Sequence, residues 1–270
     1  MITFPNAKIN LGLIVGDTRP DGYHNLETVF YPLYRLCDVL EIVPAQTDSF
    51  ELFGLPVAGE NKDNLVMRVV RLMRENFSIP PLAIALHKKI PMGAGMGGGS
   101  ADAAFALRMI NEMFELGLSN AEMKLLIRSL GADCPFFIDN VPSIAYGIGD
   151  ELSPIDINLS DYHILVVKPP VFVSTPEAYR GVRPLVGVLP VKDAVALPIE
   201  QWKDCLFNSF ESNVFEKFEE LRRIKADLYA EGATYALMSG SGSALFGLFK
   251  CQRDDLVEHY RQKGYFSTWG

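Results

Sequence analysis

The chain has 270 residues, 49% of them hydrophobic and 21% charged, enough for one large domain or two ordinary ones with a sizeable core. Its 25 Lys and Arg against 33 Asp and Glu leave a net charge of −8, and the one basic cluster, Arg222-Arg223-Ile224-Lys225, falls in a helical pattern, so a broad cationic face for nucleic acid is excluded. Cys37, Cys134, Cys205 and Cys251 lack metal-ligand spacing, Met1 to Asn6 does not read as a targeting leader, and no apolar run approaches the roughly 18 residues that cross a bilayer; a cytoplasmic, disulfide-free protein without a membrane partner is expected.

The first element is a strand over residues 7–15, whose alternation turns Lys8 and Asn10 to one side and Ala7, Ile9 and Leu11 to the other. Read alone, such a polar face is an ordinary exposed one; as a cation beside an amide, it also offers a point charge to a phosphate. Arg19-Pro20-Asp21-Gly22-Tyr23-His24 follows, a turn that carries a ring and an imidazole able to stack on and hydrogen-bond a planar heterocycle. Strands are expected at 39–43 and 82–87, with a helix between them marked by Leu65, Val66, Val69, Val70 and Met73.

Pro91-Met92-Gly93-Ala94-Gly95-Met96-Gly97-Gly98-Gly99-Ser100-Ala101 then packs five glycines into seven residues ahead of a helix with Ala103, Leu107, Ile110 and Phe114 on one face. Glycine lets a bulky anion approach the main chain, and a helix start supplies unpaired N–H groups and a positive dipole end, so the run reads as a phosphate cradle. It fits neither familiar fingerprint. Gly93-x-Gly95-x-x-Gly98 lacks the later acidic strand end of a dinucleotide fold, and Gly99 stands where a P-loop has its lysine. The positive charge must come from elsewhere in the chain.

Ser119-Asn120-Ala121-Glu122 has the form of a capping box opening a helix through Leu125, Leu126 and Leu130. Asp133, in Gly131-Ala132-Asp133-Cys134-Pro135, is a carboxylate among small and apolar residues; it reads equally as a catalytic base or as a helix cap with proline in the first turn. After a strand at 143–146, a second half begins near 156–161, with a strand at 163–167 and one helix from about Asn213 displaying Phe215, Phe218, Leu221, Ile224 and Leu228. Strands at 235–238 and 244–249 flank Ser239-Gly240-Ser241-Gly242-Ser243, which is either an anion-binding nest or a plain hairpin turn. His87, His163 and His259 share no spacing that suggests a metal site or a triad, and are assigned to structure.

In this order the motifs resemble the GHMP small-molecule kinases, named for galacto-, homoserine, mevalonate and phosphomevalonate kinases, over almost the whole chain. Pro91 to Ser100 is similar to the central glycine signature of that superfamily and Ser239 to Ser243 to its C-terminal glycine motif. Ala7 to Leu11, Arg19 to His24, Glu27-Thr28, Lys88-x-Ile90-Pro91, Gly97 to Ser100, Gly131-Ala132-Asp133-x-Pro135 and Gly147-x-Gly149-x-Glu151-Leu152 most resemble the 4-diphosphocytidyl-2-C-methyl-D-erythritol kinases within it. Met96 and Ala101 depart from the leucine and serine usual there.

The resemblance implies an α+β, two-domain GHMP kinase fold: a ribosomal protein S5 domain 2-like, ATP-binding domain over 1–157 and a ferredoxin-like α/β sandwich, the substrate domain, over 158–270. It implies transfer of the ATP γ-phosphoryl group to the 2-hydroxyl of a cytidine diphosphate methylerythritol, in non-mevalonate isoprenoid synthesis. Asp133 is then the base and Lys8 its partner, Pro91 to Ala101 hold ATP, and Asn10, Tyr23, His24, Thr175, Gly240 and Ser241 line the acceptor side. Mg²⁺ is the implied cofactor with Ser100 as its protein contact, and Lys88 and Asn64 are candidates for the adenine. Two other readings stay open: a GHMP kinase for a small alcohol such as mevalonate or homoserine, which would not need Tyr23 and His24, and a silent nucleotide sensor, against which Lys8 and Asp133 speak.

Overall fold

The protein is described by a computed structural model covering residues 1–20, 22–182, 185 and 187–270, so Asp21 of the Arg19 to His24 turn lies outside the described residues. The chain runs through β1 (Ile2–Thr3), β2 (Asn6–Thr18), β3 (His24–Cys37), β4 (Val39–Pro44), β5 (Ser49–Gly54), α1 (Leu65–Asn76), β6 (Leu82–Lys88), α2 (Gly98–Met113), α3 (Asn120–Ile127), α4 (Phe136–Asp139), β7 (Ser143–Tyr146) and β8 (Glu151–Pro154). It continues with β9 (His163–Lys168), α5 (Thr175–Tyr179), α6 (Val191–Ala194), α7 (Trp202–Cys205), α8 (Glu211–Lys217), α9 (Glu219–Ala230), β10 (Tyr235–Met238), β11 (Leu245–Phe249), α10 (Asp254–Gln262) and β12 (Phe266–Trp269).

These elements form two compact units that interleave along the chain. The first comprises Met1–Ala7, Leu36–Met92 and Gly97–Val141, the second Lys8–Arg35, Gly93–Met96 and Pro142–Gly270; no single cut, such as the one expected at 157, follows them. The first unit holds a sheet of order β1-β4-β6-β5, antiparallel except for the β5–β6 pair. Along β6 the side chains of Leu82, Ile84, Leu86 and Lys88 share the buried face, as a period of two requires. α1 packs on α2 through buried Val66, Val69, Val70 and Met73, the periodic positions of the sequence. The capping box forms as expected, Ser119 Oγ accepting from the Glu122 N–H and Glu122 answering to the Ser119 N–H, but α3 buries Met123 and Ile127 while Leu125 stays 74% exposed.

The second unit contains the sheet β2-β3-β7-β8 and the sheet β10-β11-β9-β12. The latter is antiparallel throughout, and its elements follow as β9, α8 and α9, β10, β11, α10 and β12, the β-α-β-β-α-β arrangement of a ferredoxin-like sandwich. Leu165, Val167, Ala236 and Leu245 of this sheet share a core with Leu221, Ile224 and Leu228 of α9 and Leu256 and Tyr260 of α10.

Two expectations need correction. The single helix from Asn213 is two, broken at Phe218 with φ −123° and ψ 76°; no Gly or Pro marks the break, and Phe218 instead packs on the core. The 14-residue β3 was not expected, because Pro32 inside it argues against a strand by removing a ladder donor.

Candidate active site

In the second unit, β2 is buried on both faces from Asn6 to Leu13, so Lys8 and Asn10 are 3% and 1% exposed and are not an ordinary solvated strand face. Burial obliges these groups to find partners. Lys8 Nζ donates to Asn10 Oδ1 at 2.7 Å and lies 4.7 Å from the centroid of the Phe30 ring. Asn10 Nδ2 donates to Thr28 Oγ1 at 2.9 Å, and Thr28 passes its own proton to the Gly12 carbonyl at 2.5 Å.

The same strand joins two glycine segments. The Lys8 N–H donates to the Met96 carbonyl at 3.0 Å, the Asn10 N–H to Ser239 Oγ at 3.3 Å, and Ser239 Oγ to the Gly95 carbonyl at 2.8 Å. Residues 93–96 and 239–244 therefore sit against each other, closed further by the Ala244 N–H on the Ala94 carbonyl at 3.1 Å. Packing makes glycine compulsory at Gly95, where φ is +72° and a Cβ would fall 2.0 Å from the Ser239 carbonyl oxygen; at Gly93, with φ +62°, a Cβ would fall 2.5 Å from the ring of the exposed Phe172. The side chains of Ala94 and Met96 are buried.

The residues expected on the acceptor side fall on this unit as well. Thr175, the first residue of α5, and Ser241 bring their hydroxyls to 3.3 Å. His24 stacks on Tyr179 at 5.5 Å and 26°, and its Nδ1 lies 3.1 Å from the Gly16 carbonyl, a contact in which Nδ1 carries a proton. Tyr23 is 62% exposed in the same turn. Asn208, not singled out in the sequence, spans the Ser239–Ser243 turn by donating to the carbonyls of Met238 at 2.7 Å and Gly240 at 2.8 Å.

The first unit carries the remainder of the glycine run. Gly97, with φ +69°, caps α2 without any side-chain hydrogen bond, so the N–H groups that open the helix are not met by a capping side chain. Gly98 is compulsory, since a Cβ would lie 2.8 Å from Ile90 Cγ2. Gly99 is different: it is exposed, and the nearest atom a Cβ would meet is Leu65 Cδ1 at 3.6 Å. Asp133 is half-buried in the turn before α4, whose N-cap position is held by Pro135. Burial pushes the Cys134 thiol up to about 11 against the pull of Ser100 and Arg68; it is a packed thiol, not a nucleophile.

Beneath this loop lies an ionic cluster. Lys88, 5% exposed, pairs with Asp38 and at 2.6 Å with Asp102 Oδ2; burial works against its charge, but the two carboxylates outweigh it and hold the ammonium above its ordinary value. Burial pushes the Asp102 carboxyl up to about 8, against the Lys88 charge. The Lys88 ammonium expected near an adenine is thus committed to two carboxylates, and Asn64 Oδ1 is spent capping α1 through the Val66 N–H at 2.9 Å.

Residues 64–147 match the family described as GHMP kinases N terminal domain and residues 192–265 that described as GHMP kinases C terminal. A 4-diphosphocytidyl-2-C-methyl-D-erythritol kinase of Bacteroides fragilis is 50% identical over 254 residues, 92% of either chain. The chain belongs to the GHMP kinase family. As such it is an ATP-dependent small-molecule kinase, with the two-domain α+β fold the motifs implied. A second relative of this GHMP kinase, the 4-diphosphocytidyl-2-C-methyl-D-erythritol kinase of Parabacteroides distasonis, is 47% identical over 267 residues, 99% of this chain and 96% of its own. A crystal structure of a 4-(cytidine 5'-diphospho)-2C-methyl-D-erythritol kinase superposes with TM-score 0.83 at 33% identity, covering 100% of this chain and 98% of its own. Among the described residues no helix is long and apolar enough to cross a membrane, and no group of three or more His, Cys, Asp or Glu is placed to hold a metal ion.

Proposed function

We propose that this GHMP kinase transfers the γ-phosphoryl group of ATP to the 2-hydroxyl of 4-diphosphocytidyl-2-C-methyl-D-erythritol, giving the 2-phosphate for non-mevalonate isoprenoid synthesis. The observation that carries the reading is near-50% identity over more than nine-tenths of the chain to kinases named for that substrate. Phosphoryl transfer asks a protein mainly for positioning and charge stabilisation. The acceptor oxygen forms the new bond to phosphorus, its proton passes to the Asp133 carboxylate, and the bond from phosphorus to the bridging oxygen breaks, leaving the electron pair on ADP.

Lys8, held by Asn10 and the Phe30 ring, is assigned the point charge that Gly99 cannot supply. The uncapped start of α2 and the backbone of the glycine run are assigned the triphosphate. Tyr23 and His24 are assigned the cytosine, with His24 pre-stacked on Tyr179, and Thr175, Gly240 and Ser241 the diphosphate and methylerythritol portions. Mg²⁺ is assigned to Ser100 and the phosphate oxygens, an oxygen donor set that suits a cation which keeps much of its water shell; when bound it neutralises charge on the phosphates. We place the enzyme in the cytoplasm, in keeping with four cysteines that form no disulfide, and we assign it no nucleic-acid or membrane partner.

An ATP-consumption assay with the cytidylyl substrate tests the assignment. Asp133→Asn and Lys8→Ala are expected to lose at least about a hundredfold in kcat. Full turnover in both would remove the mechanism. Tyr23→Ala and His24→Ala are expected to raise KM for the cytidylyl substrate and leave that for ATP; equal effects on the two would contradict the cytosine assignment.

A further inference from the structure

One buried cluster has no part in the chemistry assigned above and lies where the glycine run leaves and rejoins the first unit. Asp38 occupies the single position between β3 and β4 and is fully buried. Its Oδ1 accepts from the N–H groups of Lys89 at 2.5 Å and Ile90 at 2.8 Å, the two residues before Pro91, and its Oδ2 accepts from Lys88. The Lys88 ammonium reaches on to Asp102 in the second turn of α2 at 2.6 Å. One lysine thus ties the residues entering the glycine run to the helix that receives it. The two ends also touch directly, for a Cβ at Gly98 would meet Ile90 at 2.8 Å and Lys88 Nζ at 3.4 Å.

Stability alone is a poor account of this arrangement. Two acids share one base, and Asp102 Oδ1 is buried with no hydrogen-bond partner, a cost a well-packed apolar residue at 102 would avoid. What the ionic cluster supplies and an apolar one does not is direction: fixed hydrogen bonds that set the separation of Ile90 from the first turns of α2. That separation decides where the opening N–H groups of α2 point.

We propose that Lys88, Asp38 and Asp102 are positioning residues for the nucleotide, a clamp that fixes the ends of the glycine run so that its backbone is preorganised for the triphosphate. The proposal rests on the kinase reading for the identity of the ligand and not on the acceptor. None of the three residues need touch the nucleotide.

The test is calorimetric binding of the non-hydrolysable ATP analogue AMPPNP, with thermal stability measured beside it. Asp102→Ala, which deletes the bond to Lys88, is expected to weaken AMPPNP binding about tenfold, whereas Asp102→Asn, whose amide oxygen still accepts from Lys88, is expected to stay within about threefold of the parent. Because Asp102→Ala also leaves a cavity, Asp102→Leu is made as well, which fills the space and leaves Lys88 paired one-to-one with Asp38; it is expected to recover the parent's melting temperature and keep the weak binding. The KM for the cytidylyl substrate is expected to hold in all of them. Parent-like AMPPNP affinity in Asp102→Ala, or recovery of both stability and affinity in Asp102→Leu, would overturn the clamp, as would a mere loss of active fraction at unchanged affinity. A parent that binds AMPPNP but leaves the cytidylyl substrate untouched would instead contradict the acceptor, and the variant comparison would still decide the clamp.

Discussion

The two glycine turns of this kinase look alike in sequence and are built differently. In Ser239–Ser243 the protein meets nearly every demand itself: Asn208 bridges the carbonyls of Met238 and Gly240, Glu211 accepts the Met238 N–H at 2.9 Å and pairs with Lys225 at 2.6 Å, and the Gly242 N–H returns to the Ser239 carbonyl at 3.0 Å. The segment 97–99 is the reverse, with an uncapped helix start and an exposed Gly99. Spare hydrogen-bonding capacity is costly to keep, so a fold retains it where a ligand will use it. The second turn is braced by the protein itself, while at 97–99 the backbone is left open.

The largest effect is expected where the first glycine run meets the second. Gly95→Ala sets a methyl 2.0 Å from the Ser239 carbonyl at a φ of +72°, and backbone on both sides leaves nothing flexible to yield. A loss of upwards of about 3 kcal/mol in unfolding free energy by urea titration is expected. Parent-like stability would mean that the two segments do not depend on each other.

Next in size is a pH effect on the second turn. Burial raises the Glu211 carboxyl above its ordinary value, opposed by Lys225 and the Met238 N–H. Between the unfolded value of 4.5 and the higher folded one, the folded chain holds a proton that the unfolded chain has shed. Unfolding free energy therefore falls as pH rises through that window, by at most about 1.4 kcal/mol per pH unit. Glu211→Gln keeps an acceptor for Met238 and removes the proton site, so the parent should lose ground to the variant from pH 4.5 upward. A gap independent of pH would show that the folded and unfolded carboxyls titrate alike.

How much of this was legible in the sequence differs between the turns in the same way. The glycine-rich turn before α2, the capping box of α3 and the paired strands around Ser239–Ser243 follow from local chemistry and were readable. So, in principle, was the burial of Lys88, which continues the Leu82, Ile84, Leu86 alternation; the sign was there, but a lysine reads as a surface group until its carboxylates are known, and Asp38 and Asp102 lie 50 and 14 residues away. Asn208 and Glu211 carried no signal, because the backbone groups and the Lys225 ammonium they meet are brought to them only by the tertiary fold. Glycine misled most: at 93, 95 and 98 it answers to Phe172, Ser239 and Ile90, contacts no local pattern discloses.

The smallest change in stability, and the sharpest contrast, is expected at Gly99. It lies in α2 with a φ any residue adopts, and an added methyl meets only Leu65 at an ordinary 3.6 Å. By helix propensity Gly99→Ala should stabilise the fold by about 0.5 to 1 kcal/mol. If the main chain at Gly99 is where phosphate oxygens come closest, the same methyl should raise KM for ATP about tenfold and leave KM for the acceptor alone. One glycine-to-alanine change would then cost the fold at 95 and the ligand at 99, four residues apart. A Gly99→Ala enzyme that is more stable and binds ATP as the parent does would break the comparison, since the open position would have no ligand to explain it.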